Sequence, residues 1–133
     1  MCGLAGLLRA TPDTGEAALL ALAGAMGDRL AHRGPDDRGV WADADVGVAL
    51  AHRRLSIQDL SPLGHQPMAS ADGRYVIAFN GEVYNFHALR EVLVARGHAF
   101  RGHSDTEVLL AAVVEWGVEH AIAQCHGMFA IAL

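Results

Sequence analysis

A chain of 133 residues that is 52% hydrophobic and 19% charged has the material for one domain around one core, with about two-thirds of its unfolded surface buried on folding. Its net charge of -5 and the lack of any basic run exclude the clustered cations that displace counterions from nucleic acid or anionic membranes, so no nucleic acid and no membrane is expected as partner and a small polar ligand suits it better. All ten basic residues are Arg, which excludes lysine chemistry, a Walker A phosphate loop included. Its two cysteines, Cys2 and Cys125, form no C-x-x-C spacing, and no apolar run reaches the length of a membrane span or signal peptide; the expected location is cytoplasmic.

The chain opens Met1-Cys2-Gly3. Removal of Met1 would leave a cysteine with thiol and α-amine on one residue, and near neutral pH a fair fraction of an α-amine is uncharged and can take a thiol proton. Such a residue is a nucleophile with its own base, although many chains begin Met-Cys without that use. Residues 3–9 are short, apolar and interrupted by Gly6, which predicts a buried strand carrying Cys2 at its leading end. After a turn at Thr11-Pro12-Asp13, Leu19, Leu20, Leu22, Ala23, Met26 and Leu30 recur at spacings of three and four and predict an amphipathic helix over 16–30.

Residues 32–39 crowd two Asp, two Arg and a His between glycines and a proline, as a loop bordering a site does, or a solvated charged turn. Strands are predicted at 40–42 and 46–52 around Asp43-Ala44-Asp45. The second delivers Arg53 and Arg54 to a strand terminus, where a guanidinium can clamp a carboxylate with two parallel hydrogen bonds or simply face water. Residues 58–73 form a long loop, and 75–79 a buried strand that runs into Asn80-Gly81-Glu82, where a sharp turn is predicted. The Asn80 amide and the Gly81 N–H are donors of the kind that stabilise an oxyanion; an ordinary Asn-Gly turn is the plainer alternative.

A helix over 86–96 ends at Gly97, residues 99–101 suit a short strand, and Ser104 or Asp105 caps a helix over 107–116. Asp105 reads either as that cap or as an acid aimed at a ligand amine. A short helical piece follows Gly117, and 127–133 reads as a buried strand. Cys125 reads as a small core residue, and the eight histidines lack metal-ligand spacing, so no metal is expected.

Met1-Cys2-Gly3, His32-Arg33-Gly34-Pro35-Asp36, Ala51-His52-Arg53-Arg54-Leu55-Ser56-Ile57, Gly64-His65-Gln66-Pro67-Met68, Phe79-Asn80-Gly81-Glu82-Val83-Tyr84-Asn85 and Ser104-Asp105-Thr106-Glu107 together resemble the glutaminase domain of glutamine-dependent asparagine synthetases, across the whole chain. The resemblance implies an α+β fold, the N-terminal nucleophile hydrolase αββα sandwich of two antiparallel sheets between helical layers. It implies that residues 2–133 are a class II glutamine amidotransferase domain incomplete at its C-terminus, with further strands and an ATP-dependent synthetase domain absent. Carried over by motif, Cys2 matches the nucleophile, its α-amine the base, and Asn80 with Gly81 the oxyanion hole. Arg54 matches the group that binds the glutamine α-carboxylate, Leu55, Ser56, Ile57 and Gln58 line the pocket, and Glu82 and Asp105 hold the α-ammonium. The implied partner is L-glutamine; aspartate, ATP and Mg belong to the absent domain, no cofactor is expected in this chain, and a homodimer stays open for the full-length protein. Two alternatives stand beside this reading: an amidotransferase of the same branch with a different acceptor, and a glutamine-binding domain without turnover.

Overall fold

The structure is a computed structural model and describes residues 2–9 and 14–133, so Met1 and the turn expected at Thr11-Pro12-Asp13 lie outside the described residues. The first sheet holds β1 (Gly3–Leu8), β2 (Asp37–Asp43) and β3 (Val48–Arg54) in the order β1-β3-β2, all antiparallel. Its registers place Gly3 opposite Arg53 and Asp37 opposite Arg54, so the start of β1, the start of β2 and the end of β3 meet at one edge of the sheet. β2 begins at Asp37, before the expected residue 40, because its ladder with β3 extends to Asp37 opposite Arg54 and Arg38 opposite Arg53.

Helix α1 (Glu16–Asp28) lays Leu19 and Ala23 on Ala49 and Ala51 of that sheet. It stops two residues short of the expected end. Leu30, Ala31 and Arg33 donate their N–H groups to carbonyls three residues back, which tightens the exit into successive turns, and Asp28 at the helix end is drawn into ion pairs with Arg38 and Arg53.

The second sheet has β5 (Val76–Val83) at its centre, between β4 (Met68–Ala69) and β6 (Gly127–Ala132). The sharp turn expected at Asn80-Gly81-Glu82 does not occur. β5 continues straight through these residues, which lie opposite Ala130, Phe129 and Met128 of β6. An Asn-Gly pair bends a chain when its backbone groups lack other partners. Here a strand from the far end of the sequence supplies them.

Helices α2 (Phe86–Ala95), α3 (Asp105–Trp116) and α4 (Val118–Gln124) follow β5. The strand expected at 99–101 is absent, and Phe100 is held by side chains instead: the Arg90 guanidinium lies over its ring at 4.5 Å and donates to Gly102 O at 2.9 Å. The main core fills the space between α3 and the second sheet, with Ile77, Phe79, Val83, Leu93, Val108, Leu109 and Val113 buried together. β1 and β3 face β5, α1 covers the outer side of the first sheet, and α3 covers the second. The order of layers is helix, sheet, sheet, helix, an α+β sandwich as expected. Among the described residues, no helix is long and apolar enough to cross a membrane.

Candidate active site

Where β1 begins, Cys2 sits beside the end of β3. The Leu55 N–H donates to Cys2 Sγ at 3.4 Å, and Sγ lies 3.7 Å from Leu55 O. The Arg33 Nε donates to Cys2 O at 2.9 Å, so the loop after α1 also holds this end of the strand. The thiol opens onto a cavity of about 360 Å³ between the edges of the two sheets. That volume lies in the usual range of small-molecule sites, about 300–1,000 Å³.

Arg54, the last residue of β3, forms one wall. Its Nη1 donates to Ser61 O at 2.9 Å and its Nη2 to Asp59 O, two carbonyls of the loop that curls over it. Gly64 makes this possible, since a Cβ there would stand 2.0 Å from Arg54 Nη2. Guanidinium offers five N–H donors, so donors remain for a ligand carboxylate. The loop itself is fixed by Asp59, whose carboxylate accepts from the Ser61 and His103 N–H groups, each at 2.8 Å. Burial pushes the Asp59 carboxyl up, but the hydrogen bonds from Ser61 and His103 and the Arg54 charge outweigh it and hold it down at about 2.

The acids Glu82 and Asp105 line the same cavity. Asp105 opens α3 and is buried, its Oδ2 accepting the Val83 N–H at 2.9 Å; the cap of the helix is Ser104, whose Oγ accepts from Glu107 N at 3.2 Å. Burial raises the Asp105 pKa, with the Val83 hydrogen bond and a second backbone donor opposing it. Glu82 lies at the mouth of the cavity, where the Gln58 Nε2 donates to its Oε1 at 2.9 Å. Leu55, Ile57 and Gln58 also line the cavity. Ser56 does not: its N–H donates to Asp36 Oδ2 at 2.8 Å and it faces a separate depression shared with Asp36, Asp37 and His65.

The floor is β5. Tyr84 N donates to His126 O, so the even-numbered residues of β5 bond to β6 and the odd-numbered ones turn their N–H and C=O groups to the other edge. On that edge β4 covers only Val76 and Ile77. Beyond it, the Phe79 N–H donates to Gln66 Oε1 at 2.7 Å and the Val83 N–H to Asp105. The N–H of Gly81 lies between these two on the same edge, facing the cavity that Gly81 lines. Beside it, the Asn80 Oδ1 is the only buried side-chain oxygen or nitrogen among the described residues without a hydrogen-bond partner. Leaving such an acceptor unpaired costs about 1–3 kcal/mol.

The cavity is thus lined by a thiol, amide donors along a strand edge, the cation Arg54 and the carboxylates of Asp59, Glu82 and Asp105. A family model described as a glutamine amidotransferase domain matches residues 1–133. The chain belongs to the glutamine amidotransferase family. Among its relatives in this family, the asparagine synthetase (glutamine-hydrolyzing) 1 of Bacillus subtilis is 43% identical over 130 residues, covering 98% of this chain and 20% of that protein. A putative asparagine synthetase (glutamine-hydrolyzing) of Mycobacterium tuberculosis is 40% identical over all of this chain and 22% of that protein. A protein named amidase chry2 from Gibberella zeae is 41% identical over 80% of this chain and 16% of its own length. The chain therefore spans about a fifth of the length of the curated relatives it matches.

Cys2, Arg54, Leu55, Ile57, Gln58, Asn80, Gly81, Glu82 and Asp105 all line this one cavity in the amidotransferase fold, and Ser56 stands outside it. Sequence reasoning missed the supports, Asp59, Gln66 and Thr106, which also reach the cavity. Gln66 stood within a quoted motif, but nothing in the sequence says which backbone group a glutamine in a Gly- and Pro-bounded loop will meet. Among the described residues, no three His, Cys, Asp or Glu side chains are grouped to hold a metal ion.

Proposed function

We propose that this chain hydrolyses the side-chain amide of L-glutamine, with Cys2 as nucleophile, and supplies ammonia to an acceptor bound elsewhere. The observation that carries the reading is that one cavity is lined by Cys2, by Asn80 and Gly81, by the cation Arg54 and by the acids Glu82 and Asp105. A zwitterionic amino acid needs a cation for its carboxylate and an anion for its ammonium, and a site with both selects glutamine over simple amides.

With Met1 removed, the Cys2 α-amine takes the thiol proton as sulfur bonds to the amide carbon of glutamine. The oxyanion of the tetrahedral intermediate is held by Gly81 N–H and the Asn80 side-chain amide. Collapse breaks the C–N bond, and the Cys2 ammonium returns its proton to the leaving nitrogen, which departs as ammonia. Water, deprotonated by the same amine, then cleaves the thioester, releasing glutamate and restoring the thiol.

Within a longer protein like its named relatives, we propose that this ammonia would serve the ATP-dependent conversion of aspartate to asparagine. The residues of this chain do not fit ATP or Mg: there is no Lys and no Ser-Gly-Gly stretch, and no carboxylate cluster among the described residues. The likeness to amidase chry2, as high as that to the synthetases, favours a second reading in which the acceptor differs while the glutamine site is the same.

Intact mass before and after treatment with a diazo-ketone analogue of glutamine tests the proposal. The expected result is loss of Met1 and one adduct, located on Cys2, prevented by excess glutamine and absent in Cys2→Ala. A folded chain that keeps Met1 or takes no adduct would leave only a glutamine-binding domain.

A further inference from the structure

The nucleophile and the oxyanion donors stand on different sheets. Cys2 leads into β1 of the first, and Asn80 and Gly81 lie in β5 of the second. Their separation depends on how the sheets are registered against each other, and two buried side chains set that register at one residue, Phe79. His52 of β3 bonds through Nε2 to Phe79 O at 2.9 Å, so Nε2 carries the proton it donates. Gln66 accepts the Phe79 N–H on Oε1 at 2.7 Å, and its Nε2 donates to Thr106 Oγ1 at 3.2 Å, one residue after Asp105. The backbone of Gln66 is itself pressed on the first sheet: a Cβ on Gly39 of β2 would fall 1.9 Å from Gln66 O, and the neighbouring His65 Nδ1 bonds to Asp37 Oδ2 at 2.8 Å.

We infer that Gln66 is a positioning residue for the oxyanion hole. Resting on the proposed glutaminase reading, it holds β5 from a seat on the sheet that bears Cys2 and fixes the Ala78–Phe79 peptide through the Phe79 N–H, while His52 fixes the next peptide, Phe79–Asn80, through the Phe79 C=O; together they orient the strand where Asn80 follows. Its side chain fills the place of a strand partner. The β4 ladder pairs Met68 with Ile77, and two residues further along that register Gln66 falls opposite Phe79, where its amide rather than its backbone makes the bond. The strand edge is therefore closed at Phe79 without a strand, leaving the next N–H on that edge, Gly81, open to the cavity.

Oxyanion donors act in the transition state more than in the ground state, so misplacing them lowers kcat and leaves KM. Gln66→Met keeps the volume and removes the acceptor; Gln66→Glu restores an acceptor for Phe79 N–H. In glutamate release by the whole chain, Gln66→Met is expected to lower kcat by about thirtyfold with KM within about threefold, and Gln66→Glu to recover kcat to within about fivefold of the parent. The Phe79 amide proton is expected to move upfield in Gln66→Met and to stay in Gln66→Glu, a readout that does not need turnover. Should Gln66→Met fail to fold, Thr106→Val, which removes only the far anchor of the Gln66 amide, is expected to lower kcat about threefold at constant KM. An unchanged kcat in these variants, a loss shared equally with KM, or no recovery with Glu overturns the inference while the glutaminase reading stands. A folded parent chain that releases no glutamate overturns the glutaminase reading and the catalytic role with it.

Discussion

Asn80 is proposed to donate to the oxyanion through its Nδ2, and among the described residues its Oδ1 is the one buried side-chain oxygen or nitrogen with no partner. In the proposed reaction its amide faces the developing oxyanion, and losing one such donor costs about 3 kcal/mol of barrier. Asn80→Ala is therefore expected to slow glutamate release by about a hundredfold or more with little change in KM, measured by steady-state kinetics against a parent of equal melting temperature. At this scale the sequence was legible where chemistry singles out a residue type: a thiol at position 2, an amide next to glycine, an Arg closing a strand. It was silent on supports. The ambiguity of Asp105 shows why, since cap and ligand acid use the same residue at the same place, and only the Ser104 Oγ bond to Glu107 N and the Asp105 bond to Val83 N separate them.

Elements were legible where their pattern is local. The helical spacing of α1 and α3 and the apolar run of β5 are read within a dozen residues, whereas the straight passage of β5 through Asn80-Gly81-Glu82 depends on β6, some fifty residues on. The loop between β3 and β4 is the hardest case, because its shape is made by Arg54 and Asp59 folding it inward. It also carries a sharp consequence. Gly64→Ala would set a methyl 2.0 Å from Arg54 Nη2, so the guanidinium must move or the loop must lift. Either displaces the proposed carboxylate clamp, and the expected result is a rise in KM for glutamine of about tenfold or more with a smaller change in kcat. A Gly64→Ala chain with the parent KM would remove Arg54 from glutamine binding.

For the whole molecule, the layered α+β sandwich followed from the motifs, but the way the two sheets are locked together did not, because it rests on polar groups meeting across the sheet-to-sheet gap. His52 is the titratable member of that lock. Burial lowers its pKa from 6.5, opposed by the Phe79 O bond and by Asp37, and Arg54 and His65 add to the lowering. The folded protein thus keeps His52 neutral where the unfolded chain would already bind a proton. Between pH 6.5 and the lower folded value the unfolded state holds more protons than the native state, so stability is full above 6.5 and falls as the pH drops through that window. One proton bounds the slope at about 1.4 kcal/mol per pH unit. Chemical denaturation at a series of pH values from 8 to 5 is expected to show this decline in the parent and a flatter profile in His52→Gln, whose amide can still donate to Phe79 O. Because the same bond registers the nucleophile against the oxyanion donors, an acid limb of kcat that His52→Gln removes is expected at the lower, folded pKa of His52, below the pH at which stability begins to fall. An acid limb that survives in His52→Gln would assign it to the reacting groups themselves and leave His52 as a purely structural contact between the sheets.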